Sequence, residues 1–314
     1  MEKLKREFQE IQNNISVYSY EELRLRIARL IPRVPVIISI TDKIPRVDKG
    51  LYRDPSIIYR ARPNESKKID STMEMPWNYI KQISIVPDDE CDKIQCGRAN
   101  REKEPRFYAS NDFQVSCYET IWHEFPLKTK EKSQTLTVGC WKINEPLYLA
   151  ILPYSKSYLS KVRKHEQKIN DVIDSVIDSD NKQIENLLLK LGSDKAKDRF
   201  IIDLFSDEFA KLEINSNCDY SLSNFYCEQV FERCPNEFGI NDIDGIVFPS
   251  VSFSYQYNNI VLHPRCLHKL KFIEAMYVWV TYSNETKEMQ YTPLEQHVIA
   301  DTEGKLMWNV FKSK

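Results

Sequence analysis

Glycine is scarce in this 314-residue chain, which has only seven glycines. Because glycine permits backbone conformations that other residues avoid, each one marks a position where the chain has an unusual requirement. Two of them, Gly97 and Gly245, adjoin the segments that carry the functional argument. The sequence contains neither GxGxxG nor GxxxxGK[ST], so a Rossmann or P-loop nucleotide site has no support.

Long apolar runs and strong net charge are also missing. No apolar run approaches the roughly 20 residues that a membrane helix needs. The opening segment MEKLKREFQEIQ is charged throughout and lacks the apolar stretch of a secretory signal. The formal net charge is −2, which gives no indication of binding to nucleic acid or to an anionic membrane. We therefore expect a cytoplasmic protein with no membrane association and no direct nucleic-acid binding.

None of the eight cysteines forms a CxxC pair, and their spacing is irregular. A chain of this length can fold without disulfides, so we expect reduced thiols. The segment HPRCLH offers His263, Cys266 and His268, but no second pair lies at zinc-ligand spacing. Strand alternation would also place these three side chains on two faces. We expect no metal site.

A cysteine–histidine nucleophilic pair is a further alternative, with Cys117 and His123 as its members. Cys117 falls on the same helical stripe as Phe113 and Ile121, which favours a core position for its thiol.

The order of patterned segments predicts an α+β fold in place of a repeating βαβ unit. Residues 3–13 and 20–31 are predicted as helices, and 34–40 as a strand or a buried connector. Strands at 56–62 and 104–110, a helix at 112–124 and two strands within 136–153 follow. A helical block covers 157–213 with a break at 191–195, and 221–233 continues it; β-rich sequence begins at 244. We expect a helical extension at 1–50 and one domain at 51–314.

Glu119 is the first candidate for chemistry. On the helix 112–124 it lies on the stripe of Val115 and Trp122, which predicts a partly buried carboxylate. A buried charge costs several kcal/mol unless it is paired or used. Glu119 is therefore either a structural carboxylate bonded to a nearby strand or a functional one.

Two more candidates precede it. Tyr108 alternates with Phe107 on a short strand, so one of the two rings faces a cleft or the core. Arg98 follows Gly97, and an arginine held in a tight turn offers a rigid fork for phosphate or carboxylate. Taken singly, a core tyrosine and a solvated loop arginine are equally good interpretations.

The spacing of these residues resembles that of the RES-domain family, which is named for its Arg, Glu and Ser. The string GRAN begins at Gly97, ten residues separate Arg98 from Tyr108, and eleven separate Tyr108 from Glu119. IYRAR at 58–62 is similar to the opening strand of the family and supplies Arg60. DGIVFPSVSFSYQYNNIVLHP at 244–264 is similar to its late block and supplies Ser250. The resemblance covers about residues 57–265.

The resemblance implies an ADP-ribosyltransferase-like split β-sheet core with an inserted helical block. It implies a toxin of a bacterial toxin–antitoxin pair that destroys NAD⁺, either by hydrolysis or by phosphorolysis. It implies an antitoxin partner with a helix-turn-helix domain, and homodimers. NAD⁺ would be the substrate with no further cofactor, and inorganic phosphate stays open as a co-substrate.

The resemblance also implies a set of site residues. The catalytic residues would be Arg98, Tyr108, Glu119 and Ser250, and the nucleotide-binding residues Arg60, Gly97 and Asn100. Cleavage of the nicotinamide–ribose bond passes through an oxocarbenium-like transition state, as glycoside cleavage does. Glu119 would hold the ribose, Tyr108 would stack on the nicotinamide, and the arginines would bind the pyrophosphate. Ser250 would hydrogen-bond the ribose or the nicotinamide amide.

Two other functions remain open. The same cleft could transfer ADP-ribose to a protein or a nucleic acid. Alternatively, the fold could be a catalytically silent module that binds a nucleotide or a partner protein.

Overall fold

The computed structural model describes most of the chain in nine stretches: 1–44, 56–64, 74–124, 131–155, 194–211, 216–233, 242–250, 258–283 and 288–309. It also describes the separate residues 182, 185, 186, 188, 214 and 286. Helices and strands are both present, and the strand pairings are mostly antiparallel. The predicted mixture of α and β elements is confirmed.

The helices in the described residues are α1 (Glu2–Asn13), α2 (Tyr20–Leu30), α3 (Ile80–Ile83), α4 (Phe113–Glu124), α5 (Lys195–Phe209) and α6 (Ser221–Glu228). The strands are β1 (Ile37–Thr41), β2 (Ile57–Pro63), β3 (Phe107–Ser110), β4 (Glu131–Ile143), β5 (Leu147–Ile151), β6 (Gly245–Pro249), β7 (Asn258–Leu262), β8 (Leu270–Ser283) and β9 (Met289–Val298). None of the described helices is long and apolar enough to cross a membrane.

The chain forms two compact units, and each is assembled from three separate segments. Unit 1 contains Met1–Ile40, Asp92–Glu104 and Tyr148–Tyr255. Unit 2 contains Thr41–Cys91, Pro105–Leu147 and Gln256–Lys314. The predicted domain boundary near residue 50 lies outside the described residues, so the division into a 1–50 extension and a 51–314 domain stays a prediction.

Unit 1 combines helices with a short stretch of sheet. Its strand order is β1-β5-β6, and β5 runs parallel to β6 with Leu149 opposite Gly245. Helix α2 begins with a capping box, in which the side chains of Ser19 and Glu22 each bind the other's backbone N–H. Most of the predicted helical block before residue 194 lies outside the described residues, and α5 and α6 form its described part.

Unit 2 is built on six antiparallel strands in the order β7-β3-β2-β4-β8-β9. The longest ladder joins β4 to β8 and runs from Glu131 opposite Ser283 to Ile143 opposite Leu270. Helix α4 covers one face of these strands. Its Cys117 and Ile121 side chains pack against Val138 and other apolar residues of β4 and β8.

Strands β2 and β3 pair at a single described position, Tyr59 opposite Ser110, and then separate. Beyond that point the backbone N–H of Ala61 donates to the hydroxyl of Ser116 on α4, at 2.9 Å. A strand N–H that loses its ladder partner must find another acceptor, and the helix side chain supplies it. The sheet of unit 2 therefore has a local split between β2 and β3.

Candidate functional site

The residues that the sequence predicts for the site belong to both compact units. In unit 2 are Arg60, Tyr108 and Glu119, and in unit 1 are Gly97, Arg98, Asn100 and Ser250. Each group is described within its own unit.

Glu119 lies on α4, whose start is fixed by Asp112. The Asp112 carboxylate accepts from the backbone N–H groups of Gln114 (2.8 Å) and Val115 (3.2 Å), as an N-cap residue does. Glu119 is half-buried, as its helical stripe predicts. Its Oε1 accepts a hydrogen bond from Nδ2 of Asn259 at 3.0 Å. The carboxylate is thus bonded to a neighbouring strand, β7, in agreement with one of the two interpretations of this residue.

Tyr108 lies on the face of the sheet that α4 covers. Ser110 is opposite Tyr59 on one side and opposite Asn259 on the other, so these three side chains share a face. The Tyr59 ring contacts Phe113 of α4, which identifies this face as the helix side. Tyr108, two residues before Ser110, shares it and is half-buried, whereas Phe107 is fully buried on the opposite face. Tyr108, Glu119 and Asn259 therefore occupy one side of unit 2.

Arg60 projects from the other face of β2. Its guanidinium lies over the Phe107 ring, 5.1 Å from the centroid, and donates to the backbone oxygen of Tyr108 at 3.0 Å. Its Nε is enclosed and has no hydrogen-bond partner among the described residues. The pKa of Arg60 is lowered to about 10, mainly by burial and then by the nearby Arg62 guanidinium, while Tyr108 acts in the opposite direction. Arg60 is therefore a positive charge at neutral pH beside the split between β2 and β3, with an enclosed Nε–H that has no acceptor among the described residues.

Arg62 shares this face with Arg60, because the two residues are two positions apart on β2. Its guanidinium stacks over the Trp77 ring at 4.4 Å and donates to the backbone oxygen of Gln82. Stacking on an indole stabilises the cation.

Gly97 and Asn100 form a tight turn in unit 1. The Gly97 N–H donates to the Asn100 backbone oxygen at 2.9 Å, and Asn100 Nδ2 donates to the oxygens of Gln95 and Arg101, each at 2.8 Å. The Asn100 side chain therefore closes its own loop, and its role in nucleotide binding stays a prediction.

Arg98 lies within this turn and is buried, so the interpretation as a solvated loop arginine is wrong. Its guanidinium donates to the backbone oxygen of Phe209 at 3.0 Å and to that of Lys211. Phe209 is the last residue of α5, where helical carbonyls lose their intrahelical partners. Arg98 thus supplies donors to the end of α5, and a role in binding phosphate would have to be compatible with these bonds.

Ser250 directly follows β6 and is fully buried, as are all five residues of that strand. The residues after it, 251–257, lie outside the described part of the chain. Its role at a ribose or an amide stays a prediction.

Asn259 is the residue that the sequence predictions did not single out. It lies in the NNIV portion of the late block on which the family resemblance rests. A polar residue that begins a run of buried apolar residues on β7 is the signal that could have identified it, because a buried amide needs a partner.

The two alternative chemistries are a zinc site at His263, Cys266 and His268 and a cysteine–histidine pair at Cys117 and His123. Residues Pro264–Lys269 form a short 3₁₀ helix in which Cys266 is buried, and His263 Nδ1 accepts from the N–H of Arg265. Within the described residues no three histidine, cysteine, aspartate or glutamate side chains group as metal ligands. Cys117 is fully buried in the core, as predicted, and burial raises the pKa of its thiol. The side chain of His123 lies outside the described part.

Comparison with known proteins adds no relative. No protein-family model matches the chain, and no curated protein matches it significantly. The RES-domain resemblance therefore rests on the motifs and spacing described above.

Proposed function

We propose that the chain is an NAD⁺-degrading enzyme of the RES type that cleaves the nicotinamide–ribose bond. The observation that carries the proposal is the Glu119 carboxylate, half-buried on α4, held by Asn259, and on the same side of unit 2 as Tyr108. A carboxylate in this setting can accept a hydrogen bond from a ribose hydroxyl and stabilise positive charge that develops on the sugar.

The chemistry requires few further groups. As the C1–N bond breaks, its electron pair goes to the nicotinamide ring, which leaves as a neutral molecule, so no strong general acid is required. A water or phosphate oxygen then bonds to C1, and a water nucleophile loses a proton. The half-buried Tyr108 would stack its ring on the nicotinamide.

Arg60 supports a phosphate-bearing substrate. Buried donors in proteins are almost always hydrogen-bonded. An acceptor placed beside the enclosed Nε of Arg60 would therefore form a favourable hydrogen bond with it. Arg60 lies on the opposite face of the sheet from Tyr108 and Glu119, so a pyrophosphate oxygen of NAD⁺ would have to reach it through the split between β2 and β3. There it would offset the adjacent positive charges of Arg60 and Arg62. The split between β2 and β3 beside Arg60 is the feature expected of an ADP-ribosyltransferase-like core. Arg98, Gly97, Asn100 and Ser250 keep their predicted roles in the proposal.

The test is incubation of the purified protein with labelled NAD⁺, with and without inorganic phosphate. Free ADP-ribose would identify hydrolysis, and phosphorylated ADP-ribose would identify phosphorolysis. We expect Glu119→Gln to lower turnover by about 100-fold or more, because a group that stabilises transition-state charge contributes this much. Glu303→Gln, at an exposed turn of unit 2, is the control and should keep full activity.

Three outcomes contradict the proposal. Full activity of folded Glu119→Gln would remove the carboxylate from the mechanism. Label retained on a macromolecule would identify ADP-ribose transfer. Tight NAD⁺ or partner binding without turnover would identify a binding module.

A further inference from the structure

Asn259 is the second residue of β7 and lies opposite Ser110 of β3. Only 8% of its surface is exposed, so its amide has lost most of its hydration. Burying an amide without a partner costs several kcal/mol, which makes the identity of the partner informative.

That partner is Oε1 of Glu119, 3.0 Å from Asn259 Nδ2. Asn259 is held on a strand whose neighbours Ile260 and Val261 are fully buried, whereas Glu119 is a half-buried side chain with several rotatable bonds. A donor on the rigid element can therefore fix the orientation of the carboxylate on the flexible one.

We infer that Asn259 is a positioning residue for catalysis: its amide sets the direction in which the Glu119 carboxylate faces the ribose. The inference rests on the proposed function and adds a residue to it. Asn259 acts through Glu119 and needs no contact with the substrate.

The physical consequence separates binding from chemistry. Without the amide donor, the carboxylate loses a bond that fixes its direction toward the ribose, while the arginines and the Tyr108 ring remain. Substrate binding would change little, and the alignment in the transition state would be lost. Hydrogen bonds to charged groups have strengths that correspond to about a 10- to 100-fold effect on rate.

The experiment measures kcat and KM for NAD⁺ loss in Asn259→Leu and Asn259→Ala. Leucine has a similar size and removes the polar group, and alanine removes the donor without adding charge or bulk beside Glu119. We expect kcat to fall about 10- to 100-fold in each while KM changes by less than about threefold. Where Asn259→Leu unfolds the chain, Asn259→Ala gives the same test. Asn144→Ala is the matched control, because Asn144 is an exposed asparagine of the same unit, and it should keep wild-type kcat and KM.

A double-mutant cycle provides the readout that a purely structural role would not affect. Asn259→Ala in a Glu119→Gln background should cost no further activity, because the residue through which Asn259 acts is already altered. Additive losses in the cycle, or wild-type kcat in both Asn259 variants, would overturn the positioning role while leaving the proposed function intact. Absence of NAD⁺ turnover in the wild-type protein would instead overturn the proposed function, and the positioning role with it.

Discussion

Arg98 shows how the context of a single residue changes its interpretation. A glycine–arginine pair in a loop suggests a solvated or phosphate-binding side chain, yet this guanidinium is buried against the end of α5. The sequence could not predict this contact, because Arg98 and Phe209 are separated by 111 residues. By contrast, the partial burial of Glu119 and the core position of Cys117 follow from local helical periodicity, which the sequence contains in full.

Arg98→Ala should destabilise the protein, because two backbone oxygens at the end of α5 would lose their donor. Each unsatisfied buried acceptor costs about 1–3 kcal/mol, so we expect a loss of about 3 kcal/mol in the free energy of unfolding. Urea unfolding measures it, with Arg29→Ala at an exposed position of α2 as the control, expected to change stability by less than about 0.5 kcal/mol. Equal stability of the two variants would contradict this account. A loss of activity in Arg98→Ala therefore indicates that Arg98 binds the substrate only if the variant keeps its fold.

At the scale of elements, local patterns predicted most of the described helices and strands. Helices α1, α2 and α4 lie within one or two residues of the predicted bounds, and β2 matches its strand segment closely. The end of the chain differs from the β-rich pattern predicted from residue 244 onward, since Lys305 and Leu306 form isolated bridges to Tyr79 and Ala300. Local patterns could not predict the single-position pairing of β2 with β3, because it depends on Ser116 of α4 replacing a strand acceptor. Periodicity predicts one element at a time and cannot indicate that a helix side chain replaces a strand acceptor.

The last turn of α5 should make stability depend on pH. Glu208 is 2% exposed, and burial raises its pKa above the ordinary value of 4.5, although Lys211 and Gln12 act in the opposite direction. The folded state then binds a proton more tightly than the unfolded state, so this group's contribution to stability falls as pH rises above 4.5. Glu208→Gln lacks this titration, and its stability relative to wild type should improve steadily from pH 4.5 toward neutral pH.

Denaturant unfolding at several pH values measures the Glu208 effect. Glu10→Gln, at an exposed position on α1, is the control and should show a constant difference from wild type. A stability difference for Glu208→Gln that declines toward neutral pH would show that the ion pair with Lys211 outweighs burial.

At the scale of the whole molecule, the first forty residues are part of unit 1. Phe8, Ile11, Leu23 and Ile27 are almost fully buried. Side chains of this kind contribute about 1.5–3 kcal/mol each, and their sum is comparable with the whole stability of an ordinary domain. We expect a chain that lacks Met1–Ile40 to lose its cooperative unfolding transition in circular dichroism.

Two single substitutions on α2 also test whether the buried side chains of the first forty residues stabilise unit 1. Leu23→Ala should lower the free energy of unfolding by about 2–5 kcal/mol, because it leaves a cavity. Leu25, on the same helix, is 53% exposed, and Leu25→Ala should have little effect. A truncated chain that unfolds as cooperatively as the full chain would show that unit 1 does not need these helices.

The assembly of each unit from three chain segments has a consequence for folding during synthesis. The contacts of unit 1 cannot all form until residue 255 has emerged from the ribosome, and those of unit 2 require the segment that follows. Strand β4 is synthesised long before β8, which pairs with it along the whole ladder. The edge of β4 that will bind β8 therefore stays unpaired while more than a hundred residues are added. Unpaired edges attract other strands, and pairings between distant segments form slowly. The nascent chain is therefore most prone to aggregation in this interval, when β4 is complete and β8 is not yet made.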